Sequence, residues 1–486
     1  MEIFFILGIT AFLAAAPLFI KNGRALGIVN SLGHLISGAF ALQLAYCITS
    51  SKQPISIGNI FYIDALSAFF IFTISILNIA SSLYSIQYIY EDAVEGVISA
   101  KKLKSYYALF NIFSLSMFFV VMLNNLGMVW VAIEMTTLAS AFLVGFHNNK
   151  ASVEAAWKYI MICSVGIVLA LFGTILFYYA ISASCGIRTL NWTEIAANAS
   201  KLDPQIVKMA FLFILVGYGT KAGIVPMHTW LPDAHSQALS PISALLSGVL
   251  LKTAIYAILR FAIIVNKCIG VSFTGSLFLF FGILSLAVAA GFILVQRDLK
   301  RLLAYSSIEH IGIICFGLGI GAPLAVYGAL LHVFNHAVTK SIMFFGAGSI
   351  VKKYGTNNMN VIKGVFGVMP FTATAVIIGV FALVGSPPFS IFLSEIIILI
   401  SAFMKGSYVA FSLFLIFIAV IFGGIIYHLS GIIFGKTPQN MKRAKEPLSV
   451  KLAFVFLLVF VCVMGFKIPF VIDKMLLSAV EIIKGL

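Results

Sequence analysis

Apolar residues fill runs of about twenty positions from one end of the chain to the other, the length that crosses a hydrocarbon layer of about 30 Å as an α-helix. The ten-residue alternation of a transmembrane β-barrel does not appear,. By length, the pattern predicts about fourteen spans. They lie near 3–20, 25–48, 60–88, 105–123, 126–146, 154–182, 205–238, 241–264, 270–293, 300–320, 324–350, 365–400, 408–434 and 450–467. Two are broken. FLFILVGYGTKAGIVPMHTWLPDAH sets Lys221 among Gly217, Gly219 and Gly223 with Pro226 just beyond; VIIGVFALVGSPPFSIFLSEIIIL puts Gly385, Pro387 and Pro388 ahead of Glu395. Interrupted spans in corresponding halves are the sequence mark of a transport site between inverted repeats. The first span lacks a basic leader and a cleavage site and is expected to be a retained helix,. The tail 468–486, with Lys474 and Lys484 beside Leu, Val and Ile, is expected to be an interfacial helix,.

Composition agrees. Hydrophobic residues make up 61% of the chain and charged residues 10%, with mean hydropathy +1.09. Soluble domains carry roughly 25% charged residues, so the expected class is an all-α polytopic membrane protein. The formal charge of +15 is scattered over loops, which excludes a nucleic-acid face. Loops after odd-numbered spans hold Lys21/Arg24, Lys101/Lys102/Lys104, Lys150, Arg297/Lys300/Arg301, Lys352/Lys353 and Lys436/Lys442/Arg443/Lys445. The positive-inside rule therefore predicts these loops in the cytoplasm and both termini outside. The six cysteines show no metal-ligand spacing,, and there is no haem motif, P-loop or dinucleotide fingerprint. No cofactor is expected in this chain, so any driving energy comes from a partner subunit or an ion gradient.

The intramembrane polar residues carry the candidate chemistry, because a mid-membrane charge costs at least about 2.5–3.5 kcal/mol. Glu134, in WVAIEMTTLASAFLVG, lies near the middle of its span, as do Lys221 and Lys252. Glu134 is expected to be a switchable partner for Lys221, whose ammonium keeps its proton while the carboxylate is close and gives it up when it moves away. His332, His336 and Lys340 are spaced i, i+4, i+8 and share one helix face,, which favours a proton wire over a metal site. Glu309 and His310 lie deep in the tenth span. Asp298, Lys300 and Arg301 at its start read as a solvated cap. His228, Asp233 and His235, around Pro232, line an access path or cap the helix that follows,.

Units beginning near Tyr106 and Ser272 are five spans apart, so they enter the membrane from opposite sides,. The expected division is 1–104 (three helices), 105–264 (first five-helix repeat), 265–434 (second, inverted repeat) and 435–486 (last helix and tail).

KAGIVPMHTWLPDAHSQALSPISALLSGVLLKTAIYAILR, RDLKRLLAYSSIEHIG, HVFNHAVTKSIMFFGAG and the glutamate segment above closely resemble the antiporter-like subunits shared by respiratory complex I, Mrp cation/proton antiporters and energy-converting hydrogenases. YSSIEHIG and SPISALLSGVLL look most like the F-type members of that family, the branch found in hydrogenase-4 and formate-hydrogenlyase complexes. The resemblance covers most of 105–430. It implies fourteen helices, two inverted five-helix bundles and a hydrated central axis. By motif position Glu134 matches the family's fifth-helix glutamate, Lys221 and Lys252 its seventh- and eighth-helix lysines, and His332, His336 and Lys340 its eleventh-helix polar group. Glu395 matches the twelfth-helix terminal site, which is lysine in some paralogues. The long lateral helix of the largest paralogue is not expected. The implied function is proton translocation driven by redox chemistry in partner subunits holding Fe–S and NiFe centres. The alternative is an Mrp-type Na⁺/H⁺ antiporter subunit.

Overall fold

The computed structural model describes residues 1–438 and 441–485. The chain begins with helices α1 (Glu2–Phe19) and α2 (Gly23–Ser51), a small antiparallel hairpin of β1 (Ile55–Ile57) and β2 (Phe61–Ile63), α3 (Ala65–Val94), α4 (Ala100–Met122), α5 (Leu126–Val144) and α6 (Lys150–Cys185). Next come α7 (Trp192–Ala197), α8 (Pro204–Ala222), α9 (Trp230–Gln237), α10 (Ser240–Leu245), α11 (Leu251–Ile269), α12 (Val271–Val295), α13 (Leu299–Ile320) and α14 (Pro323–Tyr354). The last are α15 (Val365–Val368), α16 (Pro370–Leu383), α17 (Ser390–Met404), α18 (Tyr408–Phe434), α19 (Leu448–Phe466) and α20 (Phe470–Lys484).

Among the described residues, 12 helices are long and apolar enough to cross a membrane, counting α10 and α11 as one. The polar face of α14 and the short pair α16/α17 stand outside that set, and the expected fourteen spans need both. Helix starts are written locally. Asn125 accepts from the backbone N–H groups of Gly127 and Met128, and Asp64 from that of Ser67, each answering donors that a helix N-terminus leaves free.

Position in the bundle follows from what each helix can leave exposed. The most apolar stretches of the α10–α11 unit and of α13 are wholly buried, whereas only 28% of that of α18 is; α18 therefore belongs to the outer rim of the bundle. Glycine lets helices meet backbone to backbone: a Cβ on Gly166 of α6 would sit 2.9 Å from the Gly217 carbonyl of α8, and small residues serve this purpose inside membranes. The expected tail helix exists as α20, amphipathic, with Ile472, Met475, Leu476 and Ala479 buried.

Candidate functional site

Both expected breaks are present. Helix α8 stops one residue after Lys221, where Gly223 takes the left-handed conformation at φ 76°. The Thr220 carbonyl freed there accepts from the Trp230 indole N–H at 2.8 Å. The second break separates α16 from α17, with Gly385 at φ 66°. Gly385 faces the Glu395 carboxylate so closely that a Cβ would collide with it.

Lys221 is buried; its Nζ donates to Thr137 Oγ1 at 2.8 Å and to the Tyr159 hydroxyl, and lies 4.6 Å from the Tyr159 ring centre. Glu134 stands one turn before Thr137 on α5, and its Oε2 has no hydrogen-bond partner among the described residues. The expected Glu134–Lys221 contact is thus absent from this conformation: two neutral hydroxyls occupy the ammonium instead, and nothing in the residue pattern marks them.

The centre of the molecule gathers the other cations. A turn of π-helix, Leu246–Leu250, precedes Lys252, and Lys252 Nζ donates to the Ser247 carbonyl; such bulges concentrate at functional sites. Ser247 Oγ lies 2.7 Å from Ser307 Oγ, and Lys340 Nζ donates to the Leu303 carbonyl at 2.7 Å. Glu309 is buried, its Oε2 unpartnered among the described residues. The His336 ring lies tilted against that of His310 with centres 4.4 Å apart, and neither His336 nitrogen has a partner among those residues. His310 Nδ1 meets His332 Nε2 at 2.9 Å, and His332 Nδ1 meets Ser394 Oγ at 2.9 Å. One nitrogen each of His310 and His332 and a Glu395 oxygen lie within 4.8 Å of one another. Those three atoms have the types and spacing of metal ligands, and the His310–His332 hydrogen bond places a proton between two of the ring nitrogens.

Asp233 is partly exposed. It pairs with Arg301 at 2.8 Å and Lys158 at 3.2 Å, and Lys158 also meets Glu154 at 2.7 Å. These groups line an open cavity of about 390 Å³. His228 and His235 are buried; His235 stacks on Phe344 at 4.9 Å, with both its ring nitrogens unpartnered among the described residues. Lys300 corrects the sequence reading. Asp298 does cap α13 through the Arg301 N–H, but Lys300 is buried and donates to the Ala238 carbonyl at 3.0 Å. Hydropathy alone does not say which of three adjacent polar residues turns inward.

One buried ion pair has no counterpart in the sequence reading. Arg260 grips Asp64 with two bonds of 2.6 and 2.7 Å, donates to Ser67 and Tyr256, and lies 4.5 Å from the Trp192 ring centre. Asp64 at a helix start and the reach of an arginine are the only signals of it. Ser394, Thr137, Tyr159 and Asn335 also join the site without any mark in the residue pattern.

A multi-pass helical bundle with two broken spans and a line of buried lysines and histidines is the frame of an antiporter-like membrane subunit. Residues 123–423 match the family described as NADH:quinone oxidoreductase/Mrp antiporter, transmembrane, and the chain belongs to it. It is 38% identical over 452 residues, 93% of each chain, to a Hydrogenase-4 component F homolog of Methylacidiphilum infernorum (isolate V4). Two solved structures share the fold. A chain of the membrane-bound sulfane sulfur reductase, an archaeal respiratory membrane complex, aligns with TM-score 0.88 at 23% identity, covering 99% of this chain and 97% of the other. A chain of the Mrp complex from Dietzia sp. DQ12-45-1b aligns with TM-score 0.85 at 18% identity, covering 100% and 98%.

Proposed function

We propose that this chain is the proton-translocating antiporter-like subunit of a membrane-bound redox complex, of the energy-converting hydrogenase or complex I-like kind. The observation that carries the reading is the chemistry of its buried cations: among the described residues, Lys221, Lys252 and Lys340 donate only to hydroxyls and backbone carbonyls. A permanent charge so deep would need a carboxylate partner, whereas a group that loads and unloads protons needs neighbours that tolerate both states.

Protons enter from the cytoplasmic side beside Asp233, pass His228 and His235, and load Lys221 and Lys252. Movement of Glu134 towards or away from Lys221, set by a neighbouring subunit, drives the charge onward. Lys340, Glu309, His336, His310 and His332 carry it to Glu395 and the outer face. The buried nitrogens and oxygens without protein partners along this line are where water completes the path. In this reading residues 105–264 and 265–434 are inverted five-helix units of a fourteen-span subunit in a prokaryotic cytoplasmic membrane, both termini outside. The Fe–S and NiFe centres belong to the partner subunits.

The family and the shared fold with an Mrp chain keep a Na⁺/H⁺ antiporter as the second reading. A sodium site gathers several hard oxygens around the ion; here the central line is lysine and histidine. The test is internal pH in sealed liposomes carrying the purified complex, during turnover, in sodium-free buffer and after sodium addition. Proton movement independent of sodium supports the redox-driven reading; movement that requires sodium replaces it with the antiporter.

A further inference from the structure

We infer that Ser394 is a positioning residue that fixes the tautomer of His332 and so gives the His310–His332–Glu395 hand-off its direction; the inference rests on the translocation reading above. A serine hydroxyl has one proton to give and two electron pairs to accept with. The Ser394 hydroxyl donates to the Ile391 carbonyl at 2.8 Å, and a carbonyl can only accept. The Asn335 amide, itself anchored by donating to the Ser390 carbonyl at 2.7 Å, points a second donor at the same oxygen from 3.5 Å. With its proton committed, Ser394 Oγ can only accept from His332 Nδ1, 2.9 Å away. Neutral His332 therefore carries its proton on Nδ1 and shows a bare Nε2 to His310 Nδ1 at 2.9 Å. His310 must donate across that contact, which leaves His310 Nε2 bare, and that atom has no other partner among the described residues.

A proton arriving at His310 Nε2 makes an imidazolium. The His310 Nδ1–H bond breaks as His332 Nε2–H forms, and His332 becomes the imidazolium while Ser394 still holds its Nδ1–H. His332 Nε2 passes its proton to the Glu395 carboxylate, directly or through one water. Glu395 becomes a neutral acid, and His332 returns to its starting tautomer. His310 is left protonated on Nε2 and resets when water takes that proton and returns one to Nδ1. Because Ser394 closes the Nδ1 side, His332 gives up a proton only where Glu395 waits. Gly385, packed without a side chain against that carboxylate, keeps the acceptor close.

The test is solid-state ¹⁵N NMR of the complex labelled with ¹⁵N-histidine, with the His332 signals identified by subtracting the spectrum of His332→Gln. Wild type is expected to show His332 protonated on Nδ1 and bare on Nε2. Ser394→Ala is expected to populate both tautomers, with bias reduced by about tenfold, the upper range of one hydrogen bond, and to slow proton movement in liposomes by a similar factor. Ser394→Thr keeps the hydroxyl and is expected to restore both. A His332 protonated on Nε2 in wild type, or a tautomer unchanged by Ser394→Ala, overturns the assignment. A wild-type complex that moves no protons yet shows the Nδ1–H tautomer sinks the translocation reading instead, so the two failures are distinct.

Discussion

Arg260 and Lys252 sit two turns apart on α11, both buried, yet they are treated in opposite ways. Arg260 has a bidentate carboxylate, two hydroxyls and an aromatic face. Lys252 has one backbone carbonyl. Charge-assisted bidentate pairing is what a permanently buried cation needs; on the function proposed above, its absence at Lys252 goes with a cation whose charge comes and goes. The same contrast separates a bolt that ties α11 to α3 from an axis that runs through the bundle, and it gives a physical way to tell architecture from transport where both use buried lysine and arginine.

Lys252→Met bears on the contrast with the largest effect. Translocation should fall by at least about 100-fold, the usual weight of a positioned proton-transfer group. The melting temperature of the detergent-solubilised complex should hold or rise, because replacing a buried charge by an apolar side chain of similar volume is often neutral or stabilising. A collapse in stability would make Lys252 structural. Arg260→Ala should do the reverse, destabilising by about 3–5 kcal/mol because Asp64 is left buried and unpaired. Replacing both Arg260 and Asp64 by leucine should recover most of that loss in the same unfolding measurement, and no recovery would deny the bolt.

Tyr159→Phe sharpens the picture at smaller scale. It removes one of the two hydroxyls that hold Lys221, and translocation should slow by up to about tenfold with folding intact. At the rim, Glu154→Gln should leave both melting temperature and proton movement unchanged. Its partner Lys158 is 48% exposed, keeps Asp233, and an exposed pair contributes little. A large effect there would move the controlling step to the access cavity.

The axis is legible in the sequence where chemistry conflicts with its surroundings. Lys221, Lys252 and Lys340 interrupt apolar helices, and Gly223, Gly385 and the prolines announce the breaks. Its partners are not legible. Thr137 meets Lys221 across 84 positions, and Arg260 meets Asp64 across 196. A hydroxyl inside a span also reads the same whether it bonds its own helix or a cation. Ser394 looks like any small helical residue until His332 is placed against it. Glu134 stands out but its contact does not, since sequence marks a carboxylate and not the conformation it occupies. Lys300 turns inward for reasons of packing that no pattern of charge encodes.

The most direct measurement follows internal pH during redox turnover in liposomes carrying the complex, wild type against Lys221→Met, with electron transfer recorded in the same vesicles. The account predicts that electron transfer continues while proton movement through this subunit is lost. Proton movement undiminished in Lys221→Met would contradict it.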